Sequence, residues 1–355
     1  MRLRGRPLNP VLAREVKERM RTRRTTIVVT VYLAVLALIL QVVYSGMSGA
    51  QDAFGDSLAT QSARLGRSLF ETLLFFMLVL VCFIVPGGTA DAVSGERERQ
   101  TLVPLQVSLL SPRSILAGKL LSSVAFVFLL VLATLPLLGV SFVLGGVSVG
   151  DLARGVAAVL ATGLVLACLA LGCSSLARRT QGAMILAYGL TLFLALGTAM
   201  IYGAQHVLDD TGRRPNKAVL TLNPFFATAD ATGRATFDGF FGRFSTSSPF
   251  DPLRLLLVPE DQRFFGGFVE EEFRGQPMPM PMPMPVDGEA VEFFEEGDGG
   301  AFGVLPDGRP IPPEDAGGGI PFWARSVVVL GWIAGAAFLL ATRRLRTPSD
   351  RAAVG

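Results

Sequence analysis

Six long apolar blocks constrain the fold of this 355-residue chain more than any other feature of its sequence. Each block has the length or the apolarity needed to cross about 30 Å of hydrocarbon as a helix. Because a helix satisfies its own backbone hydrogen bonds, it is stable inside lipid. The blocks occupy residues 26–45, 68–88, 120–144, 153–174, 183–203 and 322–342. We therefore predict an all-α polytopic membrane protein with five spans within residues 26–203 and a sixth at 322–342.

The composition agrees with this prediction and excludes several classes of enzyme. Half of the residues are hydrophobic and 17% are charged, whereas a soluble protein would distribute polar residues periodically through its helices. His206 is the only histidine, which excludes most zinc hydrolases, histidine-ligated haems and histidine-based triads. Cys82, Cys168 and Cys173 fall inside apolar blocks and are expected to be small buried hydrophobes. Redox and metal chemistry therefore have little support in the sequence.

The distribution of Lys and Arg predicts the side of the membrane that each segment occupies. Nine basic residues precede the first block, four lie in residues 89–119, two in residues 174–182 and four in the tail at 343–355. Short loops rich in Lys and Arg remain in the cytoplasm. We therefore predict that both termini and residues 89–119 are cytoplasmic.

Residues 1–25 lack the apolar core and cleavage site of a signal peptide. Leu8, Leu12, Val16 and Met20 recur every four residues among basic residues, a pattern that favours an amphipathic helix lying on anionic lipid. A basic helix in solvent remains the alternative.

Residues 204–321 form a long excursion on the opposite, extracytoplasmic side, with nineteen acidic and nine basic residues. Its first two-thirds is rich in Phe and Leu and is predicted to pack on the membrane face or on the mouth of the spans. Its last third is rich in Pro, Gly and acid, which predicts extended or disordered chain. Methionines at alternate positions of 278–284 favour a spacer over a Cu(I) site, because residues spaced by two rotate around a polyproline II helix.

Residues 95–119, within the predicted cytoplasmic loop at 89–119, are the longest charged and turn-rich stretch among the first two hundred residues. We expect Gly95 to permit a sharp exit from the second span, residues 96–109 to form a short helix, and Ser111-Pro112 to begin the next helix. Leu102, Leu105 and Leu109 share one face of that helix, which could enter a groove on a soluble partner. Paired charges would flank this face at its rim, namely Glu96, Arg97, Glu98 and Arg99.

Four short motifs in this stretch resemble the coupling segment of the permease subunits of ABC-2 type ABC transporters. The motifs are Gly95-Glu96-Arg97-Glu98, Thr101-Leu102, Ser111-Pro112 and Gly118-Lys119. Residues 9–25 are similar to the interfacial N-terminal helix of that family, and residues 222–231 to the segment between its last two spans. The resemblance covers residues 8–235 and the final span.

The resemblance implies a permease subunit of an exporter in a bacterial cell membrane. It implies two protein partners, an ABC ATPase subunit and a second permease copy or paralogue. The family motifs and the apolar face of the predicted helix together give the residues expected to couple with the ATPase: Gly95, Glu96, Arg97, Glu98, Thr101, Leu102, Leu105, Leu109, Ser111, Pro112 and Lys119. The acidic insertion after residue 235 is longer than the family pattern explains.

ATP hydrolysis is predicted to take place on the partner chain. The sequence contains no phosphate-binding loop of the form G-x-x-x-x-G-K-[ST], since the stretch around Gly118-Lys119 lacks the first glycine and the final hydroxyl. Lys119 is instead expected to snorkel at the cytoplasmic end of the third span. We therefore predict that this chain is not an enzyme and binds no cofactor, and that ATP and Mg²⁺ bind to the partner. The sequence also contains no nucleic-acid-binding motif.

Glu71 is the one acid near the start of an apolar block and is therefore a candidate intramembrane polar site. Its position near the outer interface also allows simple hydration. An intramembrane enzyme is disfavoured because the spans contain almost no other His, Asp or Glu. A non-transporting scaffold or signalling subunit driven by an ABC ATPase remains an alternative, because it needs the same coupling segment.

Overall fold

The computed structural model describes residues 23–48, 58–100, 112–208, 217–233, 248–257 and 321–345. No strand occurs within these ranges, and six of their helical segments are long and apolar enough to cross a membrane. The spans are Thr25–Gly46, Ser62–Glu98, Arg113–Leu144, Val149–Leu176, Thr180–Gln205 and Phe322–Leu345. The prediction of an all-α protein with six spans is confirmed. Most spans extend past the apolar blocks because polar turns continue each helix.

Residues 1–22 of the predicted interfacial helix, the Met-Pro stretch and residues 346–355 of the C-terminal tail lie outside the described residues. Within the described part the elements follow one another in this order: α1 Arg23–Ser48, α2 Leu58–Thr89, α3 Asp91–Glu98, α4 Pro112–Leu144, α5 Val149–Leu176, α6 Thr180–Leu192, a π turn Phe193–Gly197, α7 Thr198–Leu208, a 3-10 turn Lys217–Leu222, α8 Pro224–Ala231, α9 Asp251–Leu257 and α10 Phe322–Leu345.

Helices α2 and α5 form the centre of the bundle. In the apolar window of each, 67% of the residues are buried, against 11% for α1. Glycines on α5 allow this close packing, because a Cβ at Gly155 would lie 2.9 Å from Leu74 and one at Gly163 would lie 2.6 Å from Val127. Small residues bring membrane helices together where water supplies no driving force between them. The other four spans surround this pair.

A proline interrupts the hydrogen bonding of α2 near the end that leads to α3. Pro86 lies inside α2 and has no N–H to donate to the preceding turn. The hydroxyl of Tyr188 on α6 donates to the carbonyl of Phe83 at 2.8 Å. A side chain from the neighbouring span thus binds a backbone carbonyl in the turn before the proline.

The fifth span contains a second distortion, the π turn between α6 and α7. The side-chain amide of Asn223 donates to the carbonyl of Ala195 at 2.7 Å and to the hydroxyl of Thr198 at 2.9 Å. Asn223 also accepts from the N–H of Phe225, so it begins α8 while holding the π turn.

The segment between the last two spans packs into one end of the bundle. Leu220 and Phe226 are buried against Tyr202 on α7. The Asp230 carboxylate accepts from the N–H of Trp323 at 2.9 Å, in the first turn of α10. Phe250, just before α9, belongs to the main apolar core with residues of α2. The described residues of this segment are therefore helical and docked.

The bundle has two polar ends. One contains α3, the start of α4, the junction of α5 with α6 and the end of α10, where Ala341 and Leu345 pack against Val93 and Leu116. We call it the α3 end. The other contains the start of α2, the start of α5, and α8 with α9.

Candidate functional site

Helix α3 forms the polar end of the second span, separated from α2 by one turn residue, Ala90, and its N-terminus is capped by another span. The backbone N–H groups of Val93 and Ser94 donate to the hydroxyl of Ser174 on α5 at 2.9 and 3.0 Å. The first N–H groups of a helix have no partner inside that helix. Ser174 therefore satisfies two donors of α3 and joins it to the end of α5.

Glu96 joins α3 to α4. The Lys119 ammonium group donates to the Glu96 carboxylate at 2.8 Å, and the exposed fractions of the two side chains are 7% and 27%. Lys119 was expected to snorkel toward the surface, but it is buried and paired with an acid of α3. An ion pair of this kind joins the two ends of residues 96–119.

Arg97 and Glu98 join α3 to two helix termini with opposite partial charges. The Arg97 guanidinium donates to the carbonyls of Ala177 at 2.8 Å and Ser175 at 3.5 Å, at the C-terminus of α5. The Glu98 carboxylate accepts from the N–H and hydroxyl of Thr180, at 2.8 and 2.7 Å, at the N-terminus of α6. Helix termini favour these charges, cations at the C-terminus and anions at the N-terminus.

The prediction of one helix over residues 96–109 is wrong. The helix begins at Asp91 and ends at Glu98, with Gln100 in the left-handed region at φ 58°. The N–H of Gln100 donates to the carbonyl of Arg97 at 3.2 Å, which closes a turn. Gly95 therefore lies inside α3 rather than at the exit from the second span, and a Cβ there would meet only ordinary contact, 3.7 Å from Asp91.

The structure brings five of the sequence-predicted coupling residues together at the α3 end: Gly95, Glu96, Arg97, Glu98 and Lys119. Pro112 is the first residue of α4, in agreement with its predicted role as a helix start. The remaining ones lie outside the described residues, and they are Thr101, Leu102, Leu105, Leu109 and Ser111.

The paired charges that were expected at the rim of the partner-binding face mostly contact the bundle instead. Glu96, Arg97 and Glu98 each contact another element, whereas the side chain of Arg99 is exposed. These three charged side chains of α3 therefore connect it to the bundle, whereas the sequence predicted them at the rim of the partner-binding face.

Glu71, the candidate intramembrane polar site, lies at the opposite end and is 1% exposed. Arg254 of α9 donates to both of its carboxylate oxygens at 2.7 and 3.0 Å. Arg67, one turn earlier on α2, donates to the same carboxylate at 2.5 Å. Two guanidinium groups thus surround one buried acid, which fastens α9 to α2.

Further charges extend this arrangement, which we call the charged cluster: Arg67, Glu71, Asp151, Arg154, Asp251 and Arg254. Asp151 accepts from Arg67 at 3.2 Å and from Arg154 at 2.7 Å. Arg67 also donates to the carbonyl of Thr232 at the end of α8. The charges of the three acids balance those of the three arginines. The charged cluster therefore links α2, α5, α8 and α9 through ion pairs and hydrogen bonds.

The two aspartates of the cluster also begin helices. Asp151 forms a capping box with Ser148 at the start of α5. Asp251 accepts from the N–H of Ser248 at 2.9 Å while the Ser248 hydroxyl accepts from the N–H of Phe250 at 3.2 Å. Burial raises the pKa of the Asp251 carboxyl, and the nearby charge of Glu71 acts in the same direction.

Several residues at these sites were not identified from the sequence. Ser174 and Thr180 are ordinary hydroxyl residues near the ends of apolar blocks. Arg254 is separated from Glu71 by 183 residues. The spacing of Arg67 and Glu71 by four residues was the one local signal, because such pairs lie on the same helix face.

Metal ligation has no support within the described residues, where no group of three or more His, Cys, Asp or Glu is placed to hold an ion. The three cysteines are buried and unpaired with one another.

Comparison with known proteins agrees with the architecture. Residues 10–257 match a family described as ABC-2 family transporter protein. No curated protein matches the chain. The matched region includes five of the spans, α3 and both polar ends of the bundle, and it extends over more than half of the chain. The chain therefore belongs to the ABC-2 family of transporter proteins.

Proposed function

We propose that this chain is the permease subunit of an ATP-driven exporter and that residues 89–119 couple it to a separate ABC ATPase subunit. Family membership supports a permease, and the position of α3 supports the coupling role most directly. Helix α3 is polar, ends the second span and lies beside the ends of the four spans that follow in the chain. A soluble protein that binds the residues after α3 can therefore act on several spans at once.

The mechanism is a rigid-body one. Closure of the ATPase subunits on ATP moves the coupling segment, and the attached spans tilt between inward and outward access. The path forms between two permease copies or between this chain and a paralogue. ATP and Mg²⁺ bind to the ATPase, and this chain contributes no reacting group.

The orientation that fits this mechanism places the α3 end in the cytoplasm of the cell. Exposed arginines at that end support it, because basic residues remain on the cytoplasmic side of a membrane. Exposed examples at the ends of the spans are Arg99, Arg113, Arg178, Arg179, Arg343 and Arg344. Both termini are then cytoplasmic, α8 and α9 are extracytoplasmic, and the chain is a multi-pass protein of a bacterial cell membrane.

Co-purification tests the proposal. The wild-type chain in nanodiscs should retain an ATPase subunit and alter its rate of hydrolysis. Leu105→Ala should weaken this association by more than about 30-fold, since truncating a buried interface anchor typically costs more than about 2 kcal/mol. Arg99→Ala should have a smaller effect, below about 1 kcal/mol, because exposed charges contribute little.

Leu132→Ala is the matched control, because Leu132 is 50% exposed on the outer face of α4. It should bind the ATPase as the wild type does. If Leu105→Ala and Leu132→Ala behave alike, the segment is not a coupling helix, and residues 101–111 only connect two spans.

A further inference from the structure

We propose that Glu96, Arg97 and Glu98 are positioning residues that fix α3 to α4, α5 and α6, so that these spans move with the coupling segment as one body. The inference rests on the proposed function, because it names the contacts through which an ATPase would act. None of the three residues needs to touch the ATPase for this role.

The first step is that three consecutive side chains have three different partners. Glu96 binds Lys119 on α4, Arg97 binds carbonyls at the end of α5, and Glu98 binds the start of α6. Successive residues of a helix point about 100° apart, so one short helix can reach three surrounding elements. The sequence Glu-Arg-Glu supplies the sign of charge that each partner requires.

The second step is that both ends of α3 are fixed. Ser174 accepts from N–H groups near the start of α3, and Glu98, the last residue of α3, binds the start of α6. Buried contacts add to these bonds, because Val93 packs with Leu116, Leu171 and Leu345. Helix α3 therefore has no single contact about which it could swing freely.

The third step concerns the base of the segment that follows. The Glu96–Lys119 pair, at 2.8 Å, joins α3, which precedes residues 101–111, to α4, which follows them. Lys119 is buried, and removing one partner of a buried ion pair is strongly destabilising. A force on residues 101–111 then acts on α3 and α4 together instead of separating the two helices.

The test must separate transmission from simple loss of folding. Glu98 suits this purpose because its side chain is exposed, and its removal leaves no buried charge. Glu98→Ala removes the contact with Thr180. Asp91→Ala is the matched control, since Asp91 is an exposed acid on the same helix whose side chain makes no hydrogen bond or ion pair with another element in the described part of the chain.

The first measurement uses the permease alone in nanodiscs. Hydrogen exchange should become faster in α3 and in the first turn of α6 in Glu98→Ala, by about fivefold, and should stay at the wild-type rate in Asp91→Ala. Equal exchange in both variants would overturn the proposed contact whether or not an ATPase binds.

The second measurement uses the complex with the ATPase that co-purifies with the wild type. Glu98→Ala should retain the ATPase but reduce the permease-dependent change in hydrolysis by about fivefold, the lower end of typical coupling between sites. Glu98→Cys with Thr180→Cys should show the same loss. A short bifunctional thiol reagent that joins the two cysteines should restore the wild-type value.

The outcomes separate the two proposals. If no ATPase binds the wild type, the proposed function fails, and hydrogen exchange still decides whether α3 is fixed by Glu98. If the ATPase binds but Glu98→Ala couples normally, the positioning role is wrong. If cross-linking blocks hydrolysis instead of restoring it, α3 moves relative to α6, and the spans do not move as one body.

Discussion

Replacing Glu71 by glutamine should release α9 from the bundle without unfolding the spans. Glu71 is 1% exposed and Arg254 is 5% exposed, and they share two hydrogen bonds of 2.7 and 3.0 Å. Glu71→Gln keeps the shape of the side chain but removes its charge. The guanidinium groups of Arg254 and Arg67 then lose the acid that they surround, although Asp251 and Asp151 still contact them.

The expected cost follows from burial. Removing one partner of a buried ion pair typically costs about 3–5 kcal/mol, whereas an exposed pair contributes about 0–1 kcal/mol. The lower figure of about 3 kcal/mol corresponds to about 150-fold in an equilibrium constant. The remaining aspartates reduce this somewhat, so we expect exchange of the α9 amides to become about 50- to 150-fold faster.

The assay is hydrogen exchange of Leu253 to Leu257 in nanodiscs, with the buried amides of α5 as an internal reference. Arg154→Gln is the matched control, because the Arg154 side chain is 53% exposed while it contacts Asp151 of the same cluster. It should change α9 exchange by less than about fivefold. The double variant Glu71→Met with Arg254→Met should exchange more slowly than either single variant, since apolar replacement of a whole pair is often neutral. Exchange in Glu71→Gln within about threefold of the wild type would refute the anchoring role.

Three further predictions test the packing, the orientation and the pH dependence. Gly66→Ala should lower the thermal stability of the purified chain, because its Cβ would lie 2.8 Å from the carbonyl of Ser141 and still closer to that of Gly145; Gly46→Ala should not, because no atom lies within 4 Å of its Cβ. In intact cells a membrane-impermeant thiol reagent should label a cysteine at Gly299 but not at Ser108 or Ser349, and labelling at 108 would reverse the proposed orientation; position 248 is unsuitable because Ser248 is 8% exposed. The pKa of Asp251 is raised in the folded state, so its contribution to stability is present below the unfolded pKa and is lost as pH rises through the folded pKa. Asp251→Asn should therefore gain thermal stability relative to the wild type between about pH 4 and pH 7. A difference in thermal stability that does not change with pH would contradict this sign.

The spans were predictable from the sequence because lipid imposes a length and an apolarity that few other structures share. Their ends were less predictable: the second span continues to Glu98 because polar residues remain helical when they find partners at the bundle end. Helix α3 ends where Gln100 adopts the left-handed conformation. This end was missed because Gln, unlike Gly, gives no strong sequence signal for a helix terminus.

The location of the candidate site was predictable, but its contacts were not. The Gly95-Glu96-Arg97-Glu98 motif identified the α3 end. Its internal contacts were not predicted, because charged residues beside apolar blocks normally face water or a partner. The partners of Arg97 are backbone carbonyls, which no side-chain pattern reveals, and Thr180 lies 82 residues after Glu98. Likewise Glu71 gave a signal on its own, whereas Arg254 lies in a segment whose packing depends on the whole fold.

We predict that the bond between Asn223 and Ala195 stabilises the π turn and with it the rotation of α7 relative to α6. A π turn accommodates about one residue more than regular α-helix, so its loss would rotate everything after it by about 100°. Tyr202, which now packs with Leu220 and Phe226, would then turn away from them. Asn223 follows the fifth span in the chain, so this prediction implies that the span takes its final rotational register when residues 217–233 dock against it. We expect Asn223→Ala to expose a cysteine placed at Tyr202 to thiol reagents, and unchanged protection there would show that the register is set within the span itself.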